Sequence, residues 1–237
     1  GGAEGIEDTS SVMTLDIGGG TTDFMYFREG TPVIGTSVHF GANVLWGDAY
    51  SEFNSEKFNG IYLAIKNTIT DRLKSTELKA LNEKFIKPDS HFGSDEIINF
   101  WIWNNDKTNV VTELSRGDFK FSYILHLSAL IYHSCKMLQF YHHPAPKCIV
   151  FTGNGSKYLD LIQTKDYIQK ICGFFVRELF GKETKTPQVI MPSANRKEAT
   201  CFGGLYQPFN TRRQFSAVNY LGFETATDNF KKYSEID

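Results

Sequence analysis

The chain has little cysteine and no pair of cysteines at C-x-x-C spacing. Its four cysteines stand far apart in 237 residues, at Cys135, Cys148, Cys172 and Cys201. This pattern is poor for a metal centre or a dithiol redox site, and a disulfide-stapled secreted domain would be shorter and richer in cysteine. We therefore expect a reducing, cytoplasmic setting.

The chain also lacks long apolar runs and an excess of charge of either sign. No stretch approaches the roughly 20 apolar residues of a membrane-spanning helix, and no secretory signal is visible, so no transmembrane segment is predicted. The formal net charge is -2 and the pI about 6.3, which argues against a nucleic-acid partner. The length and a hydrophobic share of 41% suit one large or two small globular domains.

Alternation of apolar and polar residues predicts three consecutive strands in the first part of the chain. They are SVMTLDI, TDFMYFRE and PVIGTSVHF, preceded by a flexible, glycine-rich lead-in over 1–10. From 44 to about 73 the pattern is helical, with Leu63, Ile65, Ile69 and Leu73 spaced to share one apolar face.

Helices alternate with strands in the second part. Within a variable insert over 75–118, ELKALNEKF predicts a short helix, and Ser94 before Glu96 predicts a capped helix start. A strongly apolar run over 117–143 predicts a long buried helix that stops before Pro144. The strand KCIVFT, a helix to about residue 180, the strand TPQVIMP, the helix NRKEATCFGGLYQ and a tail over 209–237 follow. This order predicts an α/β fold with three antiparallel strands, then parallel strands, flanked by helices.

One stretch, LDIGGGTTDF, carries three consecutive glycines between two aspartates. A strand would deliver Asp16 to its end, and the glycines would form a turn whose amide N–H groups can approach an anion closely. A carboxylate beside phosphate is unfavourable unless a divalent cation lies between them, so Asp16 favours Mg²⁺ held through water. A glycine-rich hairpin turn explains the same residues, and local chemistry leaves both possibilities open.

A second candidate is FTGNGSK, where an apolar strand ends in a Gly-Asn-Gly turn and Ser156 precedes a helix. Such a turn places N–H groups at the carboxyl edge of a sheet, where ligands of α/β folds bind. An ordinary strand-to-helix loop is the alternative. A third stretch, EATCFGG, needs no chemistry, because small residues in a helix allow close packing.

Taken in order, these stretches resemble motifs of the actin–DnaK–sugar kinase ATPase superfamily. LDIGGGTTDF resembles its second phosphate motif, closest to the FtsA, MreB and DnaK versions. FTGNGSKYLDL resembles its adenosine motif, NRKEATCFGGLY its second connecting motif, and GTSVHFGANVL its third strand and glycine-led helix start. Together the stretches span about 11–206, and their order is more specific than any one motif.

The resemblance implies a site for ATP or ADP with Mg²⁺. Asp16 would be the catalytic carboxylate, orienting Mg²⁺-bound water or the attacking water. The residues implied on the phosphate side are Gly18, Gly19, Gly20, Thr21 and Thr22. Those implied against the adenosine are Gly153, Asn154, Gly155 and Ser156. Asp23 would fix the turn rather than touch the ligand.

One part of the family pattern is missing. Before Ser11 there is neither a first phosphate loop, a D-x-G-[ST] turn, nor a first connecting motif. The resemblance therefore implies a second, C-terminal lobe alone, ribonuclease-H-like and spanning 11–208. Its partners would be the missing N-terminal lobe and possible filament or other proteins. We expect the lobe alone to bind nucleotide weakly and to hydrolyse it negligibly, the ATPase being the parent protein.

Other readings of the sequence stay open. The chain could be a non-catalytic interaction or scaffold module, supported by the aromatic-rich 75–118, or part of a small-molecule kinase. Trp101 and Trp103 could form an exposed patch or lie buried beneath a neighbouring helix.

A metal site can be drawn from histidines and Cys135 on the long helix, but such residues are more often packed. These are His126, His133, His142 and His143.

Overall fold

The computed structural model describes residues 8, 10–47, 60–87, 91–192 and 196, and the backbone of 219–220. The strands are β1 (Ser11–Ile17), β2 (Thr22–Arg28), β3 (Thr31–Val38), β4 (Cys148–Thr152), β5 (Gln188–Ile190) and β6 (Asn219–Tyr220). The helices are α1 (Asn43–Trp46), α2 (Gly60–Leu73), α3 (Lys79–Ile86), α4 (Ser94–Trp103), α5 (Asn105–Thr108), α6 (Val110–Leu114), α7 (Gly117–Phe140), α8 (Leu159–Ile162) and α9 (Lys165–Phe180). A 3₁₀ turn, Asn154–Tyr158, precedes α8.

The strands form one mixed sheet in the order β5-β4-β1-β2-β3-β6. β1, β2 and β3 are antiparallel neighbours, whereas β4 is parallel to β1 and β5 is parallel to β4. This confirms the predicted ribonuclease-H-like mixed sheet, three antiparallel strands followed by parallel ones and flanked by helices. Two residues of the predicted tail, 219–220, pair in parallel with β3.

The two faces of the sheet differ in what they bury. Since neighbouring side chains of a strand point to opposite faces, Met13, Leu15 and Ile17 share one face of β1. All three are almost fully buried in a core that also contains residues of α2, α7 and α9. The other face carries Asp16 and a smaller apolar cluster of Val12, Cys148 and Ile190. The candidate carboxylate thus lies on the opposite face from the main core.

Within the described residues the helical stretch predicted over 44–73 comprises two separate helices, α1 and α2, and the prediction that Leu63 belongs to the apolar face is wrong. Helix α1 ends at Trp46, because Gly47 follows with φ of 119°, a conformation that L side chains rarely adopt. In α2 the buried positions are Ile61, Tyr62, Ile65, Ile69 and Leu73. Leu63 is 51% exposed, because the helix presents the 61/65/69/73 row to the core.

The insert is helical and tied to the rest of the domain by buried polar contacts. The predicted short helix over 77–85 appears as α3. Ser94 is not the capping residue: Gly93 takes that position, and its N–H donates to Glu96 Oε2 at 2.9 Å. The Ser94 hydroxyl, fully buried, donates instead to the carbonyl of Gly47 at 3.1 Å.

The chain after β4 is more broken than the sequence predicts. Instead of one helix to residue 180, the 3₁₀ turn leads into α8, which ends at Ile162, and α9 begins after Thr164. The Thr164 hydroxyl accepts the N–H of Tyr167, which caps α9. The predicted helix NRKEATCFGGLYQ lies outside the described residues, apart from Arg196.

Three cysteines fall within the described residues, and none is placed for redox chemistry. Cys135, Cys148 and Cys172 are buried and free. Burial raises the pKa of the Cys135 thiol to about 12 and that of Cys148 to about 11, so both remain protonated at neutral pH. None of the described helices is long and apolar enough to span a membrane.

The two tryptophans of the insert differ in burial. Trp101 is fully buried, stacks on Tyr62 with ring centroids 5.4 Å apart, and donates its Nε1–H to Asn82 Oδ1 at 2.7 Å. Trp103, two residues on, is 87% exposed. Both sequence alternatives are thus realised, one in each residue.

We predict that Trp101→Ala lowers the free energy of unfolding by about 3–5 kcal/mol, because it opens a cavity and leaves Asn82 unpaired. Trp103→Ala is the matched control and should change it by less than about 0.5 kcal/mol. Urea unfolding followed by far-ultraviolet circular dichroism measures both variants. Equal losses would contradict the packing described.

Candidate functional site

The two glycine turns of the sequence lie side by side at one edge of the sheet. β1 and β4 run in parallel with Asp16 opposite Thr152, so their carboxyl ends meet at the same edge. Gly18–Gly20 follows β1, and Gly153–Gly155 follows β4. The sheet therefore brings together two stretches that are more than 130 positions apart in the chain.

The second turn packs against the end of β1 so closely that only glycine fits. A Cβ on Gly153 would stand within 3.0 Å of both the Asp16 carboxylate and the Ile17 carbonyl, and one on Gly155 would stand as near to the Gly18 carbonyl. Gly153 also has φ 81° and ψ 155°, a region used almost only by glycine. The contact between the turns is therefore backbone against backbone.

The first turn is fixed through its carbonyl groups. The N–H groups of Ala42 and Asn43 donate to the carbonyls of Gly18 and Gly19 at 2.9 and 2.8 Å, and Gly41 donates to Gly20 at 3.2 Å. The amide N–H groups of the same turn take part in fewer hydrogen bonds than its carbonyl groups. Within 10–47 and the other described ranges, the N–H groups of Gly19, Gly20 and Thr21 have no acceptor, whereas that of Gly18 donates to Thr21. Three neighbouring N–H donors at a sheet edge can bind an anion.

Asp16 stands next to both turns. Its carboxylate packs directly over Gly153, and the register places it opposite Asp23 on β2. Asp23 accepts a hydrogen bond from Ser37 Oγ at 2.5 Å, which places its carboxylate toward β3. The two carboxylates therefore lie opposite each other at the ends of β1 and β2 that adjoin the first turn.

The insert supplies a further carboxylate beside the first turn. Asp95, in the first turn of α4, lies where a Cβ on Gly19 would approach its Oδ2 to 2.9 Å. Asn43 Nδ2 lies 3.4 Å from the same point. No sequence signal identifies Asp95, because its position depends on how α4 packs onto the segment 41–47.

Two of the predicted site residues, Thr22 and Ser156, donate their hydroxyl hydrogens to main-chain carbonyls of the protein itself. Thr22 is fully buried, and its Oγ1 donates to the Phe40 carbonyl at 2.8 Å. Ser156 is also fully buried and donates to the Gly153 carbonyl at 2.8 Å. Thr21 and Asn154, by contrast, are partly exposed. Their side chains are therefore accessible to a ligand at the two turns.

Arg196 fixes the second turn from outside it. Its side chain is 7% exposed and donates to the carbonyls of Pro192 and Ser156 at 2.9 Å each and to Asp160 Oδ1 at 2.7 Å. Its own carbonyl accepts the N–H of Gly153 at 3.1 Å. The sequence placed Arg196 in the connecting motif but gave no reason to expect a buried arginine clamp.

His126 is a packed core residue. Its Nδ1 lies 2.8 Å from the Tyr158 hydroxyl and its Nε2 3.2 Å from the Gly41 carbonyl, and its ring stacks on Phe40 with centroids 4.5 Å apart. Since a carbonyl only accepts, Nε2 carries the proton and Nδ1 accepts from Tyr158. Burial lowers the pKa of His126 to about 4. No group of three or more metal-binding side chains occurs among the described residues.

Comparison with known proteins gives only distant likenesses. No family model and no curated protein sequence matches the chain. Among solved structures, Bacillus thuringiensis ParM with ATP is similar at 17% identity and a TM-score of 0.35, over 84% of this chain and 45% of ParM. ParM in apo form has 17% identity and a TM-score of 0.38, over 85% and 43%.

A PilM–PilN type IV pilus biogenesis complex is similar at 13% identity and a TM-score of 0.29, over 86% of this chain and 44% of that one. The chain spans less than half the length of these proteins. At such low TM-scores we draw the function from the chain's own residues.

We predict that Gly153→Ala destabilises the fold by about 3 kcal/mol or more, because it combines backbone strain with a clash against β1. Gly30→Ala is the control for strain alone: Gly30 has φ of 74° but open space around it. That variant should lose about 1 kcal/mol. Urea midpoints of both variants measure the difference, and equal losses would mean that the two turns do not pack as described.

We predict that acid weakens the fold through His126. The folded-state pKa of about 4 lies below the ordinary 6.5, so the unfolded chain takes up this proton first as the pH falls. The stabilisation is complete above pH 6.5 and is lost progressively toward pH 4, up to about 3 kcal/mol. The groups facing the imidazole are the Tyr158 hydroxyl, the Gly41 carbonyl and the Phe40 ring, and no carboxylate of the described residues contacts it.

Unfolding free energies at pH 7, 5.5 and 4.5 check this prediction. His126→Gln should show a shallower pH dependence than the wild type. His91→Gln, which changes an exposed histidine of the insert, should keep the wild-type dependence. A wild-type slope in His126→Gln would show that other groups cause the acid sensitivity.

Proposed function

We propose that this chain is a nucleotide-binding lobe of an actin-like ATPase. The observation that carries the proposal is the packing of two glycine turns at the carboxyl ends of β1 and β4. One turn leaves three N–H donors without an acceptor among the described residues, and Asp16 stands beside both. Ligands of open α/β sheets bind at such an edge, where the chain connections reverse.

The first turn supplies the contacts to phosphate in this proposal. The N–H groups of Gly19, Gly20 and Thr21, with the Thr21 hydroxyl, donate to the β- and γ-phosphates, and Gly18 shapes the turn through its bond to Thr21. Thr22 contributes by holding Phe40 and β3 in place, because its hydroxyl is already bonded there. Binding by backbone amides needs no side-chain motion.

A divalent cation fits this arrangement. Asp16 and Asp95 place two carboxylates next to a turn that would receive phosphate, and a cation between them and the phosphates would offset their repulsion of the anion. Carboxylate oxygens are ligands that Mg²⁺ accepts, with water completing its shell. Asp16 would hold the ion through water and orient the attacking water. When bound, Mg²⁺ would neutralise charge on the phosphates.

The second turn supplies the nucleoside side. Asn154 is the partly exposed residue of the turn, and Gly153, Gly155 and Ser156 give it a flat backbone surface. We propose that adenosine lies against this surface, while Arg196 holds the turn rigid. Catalysis would then consist of positioning and charge stabilisation rather than covalent chemistry.

The proposal includes an opposing, N-terminal lobe. A single edge with two turns contacts a nucleotide from one side, so an opposing lobe that carries the first phosphate loop would complete the cleft. Closure of two lobes over ATP can be coupled to assembly or to partner binding. The lobe described here would bind nucleotide weakly by itself.

One observation favours a second function, a protein-interaction module. Trp103 is 87% exposed on the insert, and tryptophan is enriched among the residues that contribute most to binding at protein interfaces. In that case the glycine turns would serve the fold alone. The two proposals differ in their dependence on Asp16, which only the nucleotide site requires.

We predict that Asp16→Asn in the intact protein lowers affinity for ATP in the presence of Mg²⁺ by at least tenfold, or about 1.4 kcal/mol. The variant removes the charge and keeps the shape of the side chain. Isothermal titration calorimetry with and without EDTA measures it, and the variant should lose the Mg²⁺ dependence that the wild type shows. Asp106→Asn, an exposed carboxylate of the insert, is the matched control.

Absence of Mg²⁺-dependent ATP binding by the wild-type intact protein would reject the nucleotide proposal. If the wild type binds ATP and Asp16→Asn binds it equally well, Asp16 has no role at the phosphates.

A further inference from the structure

We propose that His126 is a positioning residue that couples the two glycine turns, so that a ligand held by one turn orders the other. The inference rests on the proposed nucleotide site and names how its two halves act together. It is drawn from contacts at the core end of both turns, away from the surface where a ligand would bind.

On the phosphate side, His126 acts through Gly41. The Nε2–H of His126 donates to the Gly41 carbonyl at 3.2 Å. Gly41 in turn donates to the Gly20 carbonyl, and a Cβ on Gly41 would stand within 3.0 Å of the Gly19 carbonyl and the Thr21 nitrogen. A shift of Gly41 therefore moves the first turn directly, because no side chain lies between them to absorb it.

On the adenosine side, His126 acts through Tyr158. The Tyr158 hydroxyl, fully buried, donates to Nδ1 at 2.8 Å, and the two rings meet edge to face at 5.1 Å. Tyr158 is the last residue of the 3₁₀ turn that begins at Asn154. The Tyr158 hydroxyl is thus the group that links the second turn to His126.

The imidazole itself has little freedom. It lies parallel to the Phe40 ring, at an interplanar angle of 9°, and Phe40 is bonded through its carbonyl to Thr22 at the start of β2. Both ring nitrogens are occupied, so rotating the ring breaks two hydrogen bonds in a dry interior. An apolar residue could fill the same volume, but it would fix neither Gly41 nor Tyr158.

The test uses two variants that both break the hydrogen bond between Tyr158 and His126. Tyr158→Phe removes the hydroxyl on the adenosine side and does not touch the first turn. His126→Gln keeps a donor near the Gly41 carbonyl and loses the ring acceptor for Tyr158. Tyr132→Phe and His133→Gln, on the exposed side of α7, are matched controls.

Hydrogen exchange of the ligand-free intact protein is the first measurement. We expect the hydrogen-bonded amides that hold the first turn, those of Gly18, Gly41 and Ala42, to exchange at least threefold faster in Tyr158→Phe and His126→Gln, with β1 and β2 unchanged and the controls like the wild type. Faster exchange confined to 153–160 in Tyr158→Phe would overturn the coupling. An equal rise in the strand amides would also overturn it, since that reports global destabilisation.

Affinity for ATP with Mg²⁺ is the second measurement, and it separates this inference from the proposed function. Both variants should bind about five- to tenfold more weakly than the wild type, the usual range of coupling between sites. Unchanged affinity in both variants would overturn the inference while leaving the nucleotide site intact. If the wild type binds no nucleotide, the proposed function fails, and the exchange rates alone decide whether the turns are coupled.

Discussion

The close approach of backbone to backbone at the carboxyl ends of β1 and β4 is the constraint on which the rest of the site depends. Gly153 and Gly155 lie against Ile17 and Gly18 with no room for a Cβ, and Gly41 lies in the same way against Gly19. Each contact forces glycine at a position where a side chain would separate the layers. The turns cannot be moved apart without also moving β4, whose register on β1 is fixed by five residue pairs.

Buried polar groups hold this arrangement where apolar packing could not specify it. His126, Arg196 and the Ser156 hydroxyl all bond to main-chain carbonyls near the two turns. Hydrogen bonds of this kind are directional, so they fix the orientation of a turn and not only its distance from the core. The backbone of the candidate site is therefore held in one orientation by buried hydrogen bonds. The carboxylates of Asp16 and Asp95 add negative charge at the same edge.

The sequence predicts the sheet well because alternation is a local signal. The three first strands and the glycine that ends β1 follow from residues adjacent in the chain. Leu63 shows the limit: its spacing fits the apolar face of α2, but the tertiary packing of the helix turns it to solvent. Ser94 and Thr22 show the same limit for hydroxyls. Their sequence context is that of a cap and of a ligand contact, yet each bonds a carbonyl far along the chain, at Gly47 and Phe40. Asp95 and Arg196 join the site only through folding.

The mixed character of the sheet explains why the site forms beside β1 and at no other of the described strands. β1 has an antiparallel neighbour on one side and a parallel neighbour on the other. Its carboxyl end therefore meets a hairpin turn from β2 and a strand-to-helix turn from β4 at the same edge. A fully antiparallel sheet would place the end of β4 at the opposite edge, and a fully parallel one would remove the turn at 18–21. The change of strand direction at β1 is thus what converts two glycine turns into one candidate binding surface.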